Sequence, residues 1–190
     1  MVNTILIMQG GPATGKTTLG KQIAAALRIP YLSKDGVKEP IFDHLGCPTA
    51  WETDEPLSGK KMDDAANAIL FYLIRVQLQT GRNCLINSTF KAPNTPALLD
   101  IQSQYPFTPI QILCRTDPDE LERRYLQRAE TQVRHPGHLD KMKSDAFDAR
   151  ELERINQPLD IGGHILTADT TDFTDENFLE LMQSIQQLLE

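Results

Sequence analysis

Cysteine is scarce in this chain and falls into no pairing pattern. Its three cysteines, Cys47, Cys84 and Cys114, are widely spaced and odd in number, with no Cys-x-x-Cys among them. A structural zinc site and a disulfide framework are thereby disfavoured, and a reducing cytoplasm is the expected compartment. Aromatic residues make up only 6% and do not interleave with basic ones, which argues against base stacking along a nucleic-acid strand. Positive charge is in deficit: 19 Lys+Arg face 26 Asp+Glu, for a net charge of −7. That balance disfavours general binding to nucleic acid or a membrane surface. No apolar run approaches the roughly 18 residues of a spanning helix, and Met1–Gln9 has neither a basic leader region nor a cleavage site. No repeat or low-complexity tract occurs. What remains, 40% hydrophobic and 24% charged residues over 190 positions, is the composition of one globular domain, 1–190.

Short apolar runs alternate with longer helical periods. Thr4–Met8, Pro30–Leu32, Asn83–Asn87, Pro109–Cys114 and His164–Thr167 are continuously rather than alternately apolar, as in parallel strands covered on both faces. Helices are predicted over the Leu19/Ile23/Leu27 period, from about Ser58 to Thr80 with Gly81 as C-terminal cap, from Asp117, and over Phe178–Leu189 behind Thr174. Asp117 suits a cap, with Glu120 closing a capping box. Phe173 and Phe178 flank the last helix start as a hydrophobic staple. Gly46–Gly59 and Thr131–Ser144 read as exposed loops, a length that often serves function.

The strongest pattern is Gly10-Gly11-Pro12-Ala13-Thr14-Gly15-Lys16-Thr17, which satisfies G-x-x-x-x-G-K-[ST] between a strand and a helix. Glycines let successive backbone N–H groups curl around a phosphate, and the helix N-terminus adds free donors and partial positive charge. Gly11, Pro12, Ala13, Thr14, Gly15, Lys16, Thr17 and Thr18 are therefore candidate nucleotide-binding residues. Lys16 would meet the β and γ phosphates, and Thr17 would offer its hydroxyl to Mg²⁺. The plain alternative is a glycine-rich turn with an incidental lysine.

This motif resembles the P-loop nucleoside-triphosphate-binding superfamily. The absence of an Asn-Lys-x-Asp motif turns the comparison away from GTPases and toward the small P-loop kinases. Ser33-Lys34-Asp35-Gly36-Val37-Lys38 is similar to the Ser-x-Asp-x-x-Arg pattern of the zeta toxin and chloramphenicol phosphotransferase-like group of AAA-type kinases, which also includes polynucleotide 5′-kinases. The resemblance implies a three-layer α/β fold with a five-stranded parallel sheet, order 2-3-1-4-5, and a helical LID near 124–145. It implies ATP and Mg²⁺ as cofactors and transfer of the γ-phosphate to a small-molecule hydroxyl. Asp35 would accept the acceptor's proton and Lys38 would bind the acceptor, with Lys departing from the family's Arg. The position of Asp35 beyond a strand's carboxyl end supports the same role independently, and the bland reading is a helix cap. Asn87 stands where the group often has a metal-holding aspartate, which keeps open a nucleotide-binding switch or slow ATPase without phosphotransfer.

Arg124 and Arg128 share a helix face. By resemblance to the LID of adenylate-type kinases, Arg124 would pack on adenine and Arg128 would contact the migrating phosphate. Otherwise they form a solvated face paired with Glu120, Glu122 and Glu130. Arg134-His135-Pro136-Gly137-His138 resembles a LID segment, with His135 and His138 closing over substrate, binding a metal or simply exposed. Thr170, after the last strand, is an adenine-loop candidate or a plain turn residue. Phe42, Trp51 and Tyr72 face an acceptor or belong to the core. The chain is expected to act as a monomer or homodimer.

Overall fold

The computed structural model describes residues 2–131, 134–139, 147–155 and 157–190. The apolar runs form five strands: β1 (Asn3–Gln9), β2 (Tyr31–Ser33), β3 (Cys84–Asn87), β4 (Phe107–Arg115) and β5 (His164–Asp169). All neighbouring pairs are parallel and the order is β2-β3-β1-β4-β5, the arrangement expected. The helices are α1 (Lys16–Leu27), α2 (Lys34–Leu45), α3 (Gly59–Gln79), α4 (Thr95–Gln104), α5 (Pro118–Thr131), α6 (Ala149–Ile155) and α7 (Asp175–Leu189).

The twofold period of β1 explains the layers. Ile5 and Ile7 point into one cluster with Leu70, Ile74, Ile86 and Leu98. Leu6 and Met8 point into the other, with Leu19, Ile23, Ile112 and Ile185. All four β1 side chains are fully buried, which is why the run is continuously apolar, and each contributes about 1.5–3 kcal/mol.

Most helix ends follow their sequence signals. Ser58 caps α3 by accepting from Lys61 N, and Gly81 leaves the helix at φ 67°. Thr174 and Asn177 form a reciprocal capping box on α7, with Phe173 and Phe178 packed on the same core. Three expectations are corrected. Asp117 caps α5 through Asp119 N and Glu120 N, but the Glu120 carboxylate turns to Arg123 and Arg124 rather than closing a box. Asp35 is not the cap of α2: Ser33 accepts from Gly36 N instead. In the presumed loop after α5, Gly137 and His138 are buried. The LID expected over 124–145 falls partly on residues 132–133 and 140–145, outside the described residues; within it, α5 continues to Thr131 and Pro136–His138 make a 3-10 turn. Among the described residues, no helix is long and apolar enough to cross a membrane.

Candidate active site

The first strand ends at Gln9, and the chain turns at Gly10 (φ 147°), Ala13 (φ 67°) and Gly15 (φ 77°) before entering α1. Gly10 is sterically required: a Cβ there would meet Thr14 Oγ1 at 2.6 Å and the Cys114 carbonyl at 3.0 Å. Thr14 Oγ1 and Lys16 Nζ donate to the Gly11 carbonyl at 2.9 and 3.0 Å. These bonds close the loop on itself. Burial lowers the Lys16 pKa to about 8, opposed by Asp35 and helped by Arg134.

A cleft of about 410 Å³ opens over this loop, at the carboxyl ends of β1, β2 and β3. Of the nucleotide candidates, Pro12, Ala13, Gly15, Lys16, Thr17, Thr18 and Arg124 line it, as do Asp35, Lys38 and Arg128. Gly11, Thr14 and Thr170 are not among the residues that line it. Thr170 is buried; its hydroxyl lies 2.8 Å from the carbonyls of both Thr14 and Arg115, either of which can take its one proton, and 2.7 Å from Thr116 Oγ1. Its side chain therefore braces the loop against β4. Arg124 donates to the carbonyls of Thr170 and Thr171 at 2.9 and 2.7 Å, fixing the segment after β5. Beyond that segment a second groove runs along Thr18, Gln22, Arg124, Thr171 and Phe173. Arg128 lies with its guanidinium 5.3 Å from the Tyr125 ring and faces the cleft.

The cleft gathers Lys16, Lys34, Lys38, Arg124, Arg128 and Arg134 against the carboxylates of Asp35 and Asp63. A chain of net charge −7 thus carries a local positive field, suited to a polyanion. The acceptor side is already ordered by ion pairs. Asp63 binds Lys38 at 2.8 Å and Lys34 at 3.0 Å. Lys38 is only 3% exposed and sits between the Phe42 and Trp51 rings, 5.4 and 5.1 Å from their centroids. Trp51 lines the cleft, whereas Phe42 is buried and Tyr72 stands exposed on α3.

Arg134 donates to Asp35 Oδ2, and His138 Nδ1 lies 4.0 Å from Asp35 Oδ1. Burial raises the Asp35 pKa, but Arg134, His138 and Lys16 outweigh it and hold the carboxyl down at about 2. Asp35 is therefore ionised throughout the neutral range. The same turn grips α2 at two further carboxylates spaced one helical turn apart: His138 Nε2 to Glu39 at 2.9 Å, and His135 Nε2 to Asp43 at 3.1 Å. Phe42 stacks on His135 and meets His138 edge-on. Burial, reinforced by Arg134, lowers the His138 pKa. Among the described residues, no group of three or more His, Cys, Asp or Glu is placed to hold a metal.

At the floor, Asn87 Nδ2 donates to the Tyr31 hydroxyl at 2.6 Å and to Thr17 Oγ1 at 3.3 Å, while its Oδ1 is buried without a partner. Tyr31, Asp63 and the Arg134–Asp35 pair escape a reading of the sequence. Tyr31 and Asp63 are single polar residues outside any motif, and the Arg134–Asp35 pair joins residues of two motifs 99 positions apart. Cys114 lies directly under the loop, its thiol pushed up to about 12 by burial, and is inert.

The family described as AAA domain matches residues 5–150. The solved structure of a "putative kinase" from Chloroflexus aurantiacus is 33% identical, with all of both chains covered and a TM-score of 0.84. A sugar kinase from Janibacter sp. HTCC2649 (13% identity, TM-score 0.60, 99% and 96% covered) and a gluconokinase from Sinorhizobium meliloti 1021 (14%, 0.51, 99% and 98%) share the fold. No curated protein sequence matches the chain.

Proposed function

We propose that this chain, which belongs to the AAA domain family and carries the P-loop kinase fold, is an ATP-dependent phosphotransferase moving the γ-phosphate of Mg-ATP to a hydroxyl of a small-molecule acceptor. One observation carries the reading: a phosphate-cradling loop and an ionised carboxylate, Asp35, face each other across one cationic cleft. Phosphoryl transfer needs positioning and charge neutralisation more than covalent chemistry, and these are what the cleft supplies.

The loop amides and Lys16 hold the triphosphate, with the nucleoside running into the groove past Arg124. Arg128 neutralises charge on the migrating group. A divalent cation fits the oxygen donors present, the Thr17 hydroxyl and the orphaned Asn87 Oδ1. When bound, it neutralises the phosphate oxygens. Asp35 orients the acceptor hydroxyl and takes its proton late, as bond making to phosphorus acidifies that hydroxyl. For this, Arg134 must leave Asp35. Lys38 and Trp51 shape the acceptor side, with Lys38 held as a point charge by Asp63.

The finer resemblance, to the zeta toxin and chloramphenicol phosphotransferase-like group, rests on Ser33, Asp35 and Lys38. The chain is read as one domain, a cytoplasmic monomer or homodimer, with no general affinity for nucleic acid. A second reading, a slow ATPase without an acceptor, is favoured by the neutral Asn87 and by Arg134 occupying Asp35. Incubation with γ-labelled ATP and pooled hydroxylated metabolites separates the two. Label in an organic phosphate supports transfer, label only in inorganic phosphate supports the ATPase, and label on a 5′-hydroxyl oligonucleotide alone would make it a polynucleotide kinase.

A further inference from the structure

Lys34 and Lys38 stand one turn apart on α2, and both reach across to α3. They meet the same carboxylate there, Lys34 at Oδ2 of Asp63 and Lys38 at Oδ1. Among the described residues Asp63 is the sole acidic partner of either lysine; the other carboxylate of the cleft, Asp35, is engaged by Arg134. Two positive charges therefore share one negative charge. The group is largely withdrawn from water, with the side chains of Lys34, Lys38 and Asp63 14%, 4% and 17% exposed. Burial pushes the Asp63 pKa up, but Lys34 and Lys38 outweigh it, so the carboxylate stays ionised. A surplus ammonium charge in such a place is costly until an anion answers it. Each ammonium has three N–H donors and gives one to Asp63, so donors are left over as well as charge. All three side chains line the same cleft as Asp35 and the phosphate loop.

We propose that the Lys34–Asp63–Lys38 bridge is a half-filled anion site, whose surplus charge takes an acid group, carboxylate or phosphate, carried by the acceptor whose hydroxyl meets Asp35. The substrate class is then a hydroxy acid or a phosphomonoester with a free hydroxyl, rather than a neutral sugar or alcohol. That the anion belongs to the acceptor rests on the phosphotransferase reading; the site itself does not. Asp63 sets its strength. It keeps the two ammoniums from repelling each other while the site is empty, and it competes with the ligand for their charge. Ammoniums are point charges without a fixed fork, so the bridge does not by itself choose between the two acids.

The test first fills the phosphate loop with Mg²⁺ and a non-hydrolysable ATP analogue, so that no added anion lodges there. Inorganic phosphate and glycolate are then titrated separately by calorimetry at constant ionic strength. Wild type should bind at least one of them saturably, and the tighter one names the acid. Lys34→Gln should weaken that binding about tenfold, the worth of a hydrogen bond to a charged group. Asp63→Asn should tighten it by a similar factor, because the resident competitor is gone. A bridge that only braces α2 against α3 has no such opposition of signs. No saturable binding to the filled wild type, or weaker binding in Asp63→Asn, would overturn the inference. In a transfer assay with γ-labelled ATP and matched acidic and neutral metabolites, label should enter the acidic members alone; a neutral member labelled as fast as its acidic counterpart would overturn it too. Anion binding that follows both variants, with label in no organic acceptor, would leave the site standing and bring down the phosphotransferase reading instead.

Discussion

Raising the pH from 7 to 9 should weaken nucleotide binding through one side chain, Lys16. Burial holds its pKa near 8 in the empty cleft. Its ammonium is then ~90% protonated at pH 7, ~50% at pH 8 and ~10% at pH 9. Triphosphate oxygens against Nζ favour the charged form and carry the pKa back toward its ordinary value. Binding should thus take up ~0.1 proton at pH 7, ~0.5 at pH 8 and ~0.9 at pH 9, and affinity should fall ~2-fold at pH 8 and ~10-fold at pH 9. The terminal phosphate, with a last pKa of about 6, is ~10% protonated at pH 7 and can cancel the small uptake there, but is fully ionised at pH 8 and 9. Calorimetry in buffers of different ionisation enthalpy reads the uptake directly. Lys16→Arg, charged at every pH used, should abolish it. Buffer-independent heats at pH 8 and 9 in the wild type would refute the reasoning. For stability the sign is reversed: the folded pKa lies below the unfolded one, so the cost of burying charged Lys16 is full below about 8 and is relieved as pH rises toward 10.5.

Asp35→Asn should leave nucleotide affinity unchanged while transfer falls ~10²–10⁴-fold; comparable transfer rates would remove Asp35 from the chemistry. Because its folded pKa is about 2, Asp35 contributes stability above its unfolded value of 3.8 and loses it as pH falls toward 2. With its side chain over a third exposed, that contribution is at most about 1 kcal/mol, and acid melts of Asp35→Asn against wild type measure it. Arg128→Ala should lower turnover ~10³-fold or more, whereas Arg124→Ala should chiefly raise the KM for ATP by loosening the Thr170–Thr171 segment. The opposite ranking in steady-state kinetics would exchange their roles. Gly137→Ala would place a Cβ 2.3 Å from the Phe42 ring and should undock the turn from α2. At ~1–3 kcal/mol for such overpacking, melting should drop several degrees; an unchanged melting temperature would show that the turn does not depend on that contact.

How far the sequence speaks depends on the physics of each part. The sheet was legible because strands buried on both faces must be apolar throughout, and Thr4–Met8 and Pro109–Cys114 are. The phosphate loop was legible because its backbone path and charge demand fixed residues at fixed spacing. Other parts are less legible. α4 carries only Leu98 and Ile101 as buried residues, too short a period to stand out. The turn at 134–138 looked exposed because its histidines are polar, yet His138 is buried by Glu39 and Phe42, about a hundred residues away in sequence. Asp35 lies just past β2, where the strand pattern puts it, but Ser33 caps the helix and the pairing of Asp35 with Arg134 is a tertiary contact that no local pattern encodes. Thr170 follows β5, and its side chain turns inward to Thr14 and Arg115, a tertiary contact the sequence does not announce.

The central claim is that the Gly10–Thr17 turn grips a nucleotide's phosphates in line with Asp35. Crystals grown with Mg²⁺ and a non-hydrolysable ATP analogue test it most directly. The account predicts β and γ phosphates enclosed by the amides of residues 11–18 and touched by Lys16, with the γ-phosphate facing the Asp35 side of the cleft. An analogue bound elsewhere, or phosphates outside the loop with Lys16 still bonded to the Gly11 carbonyl, would contradict it.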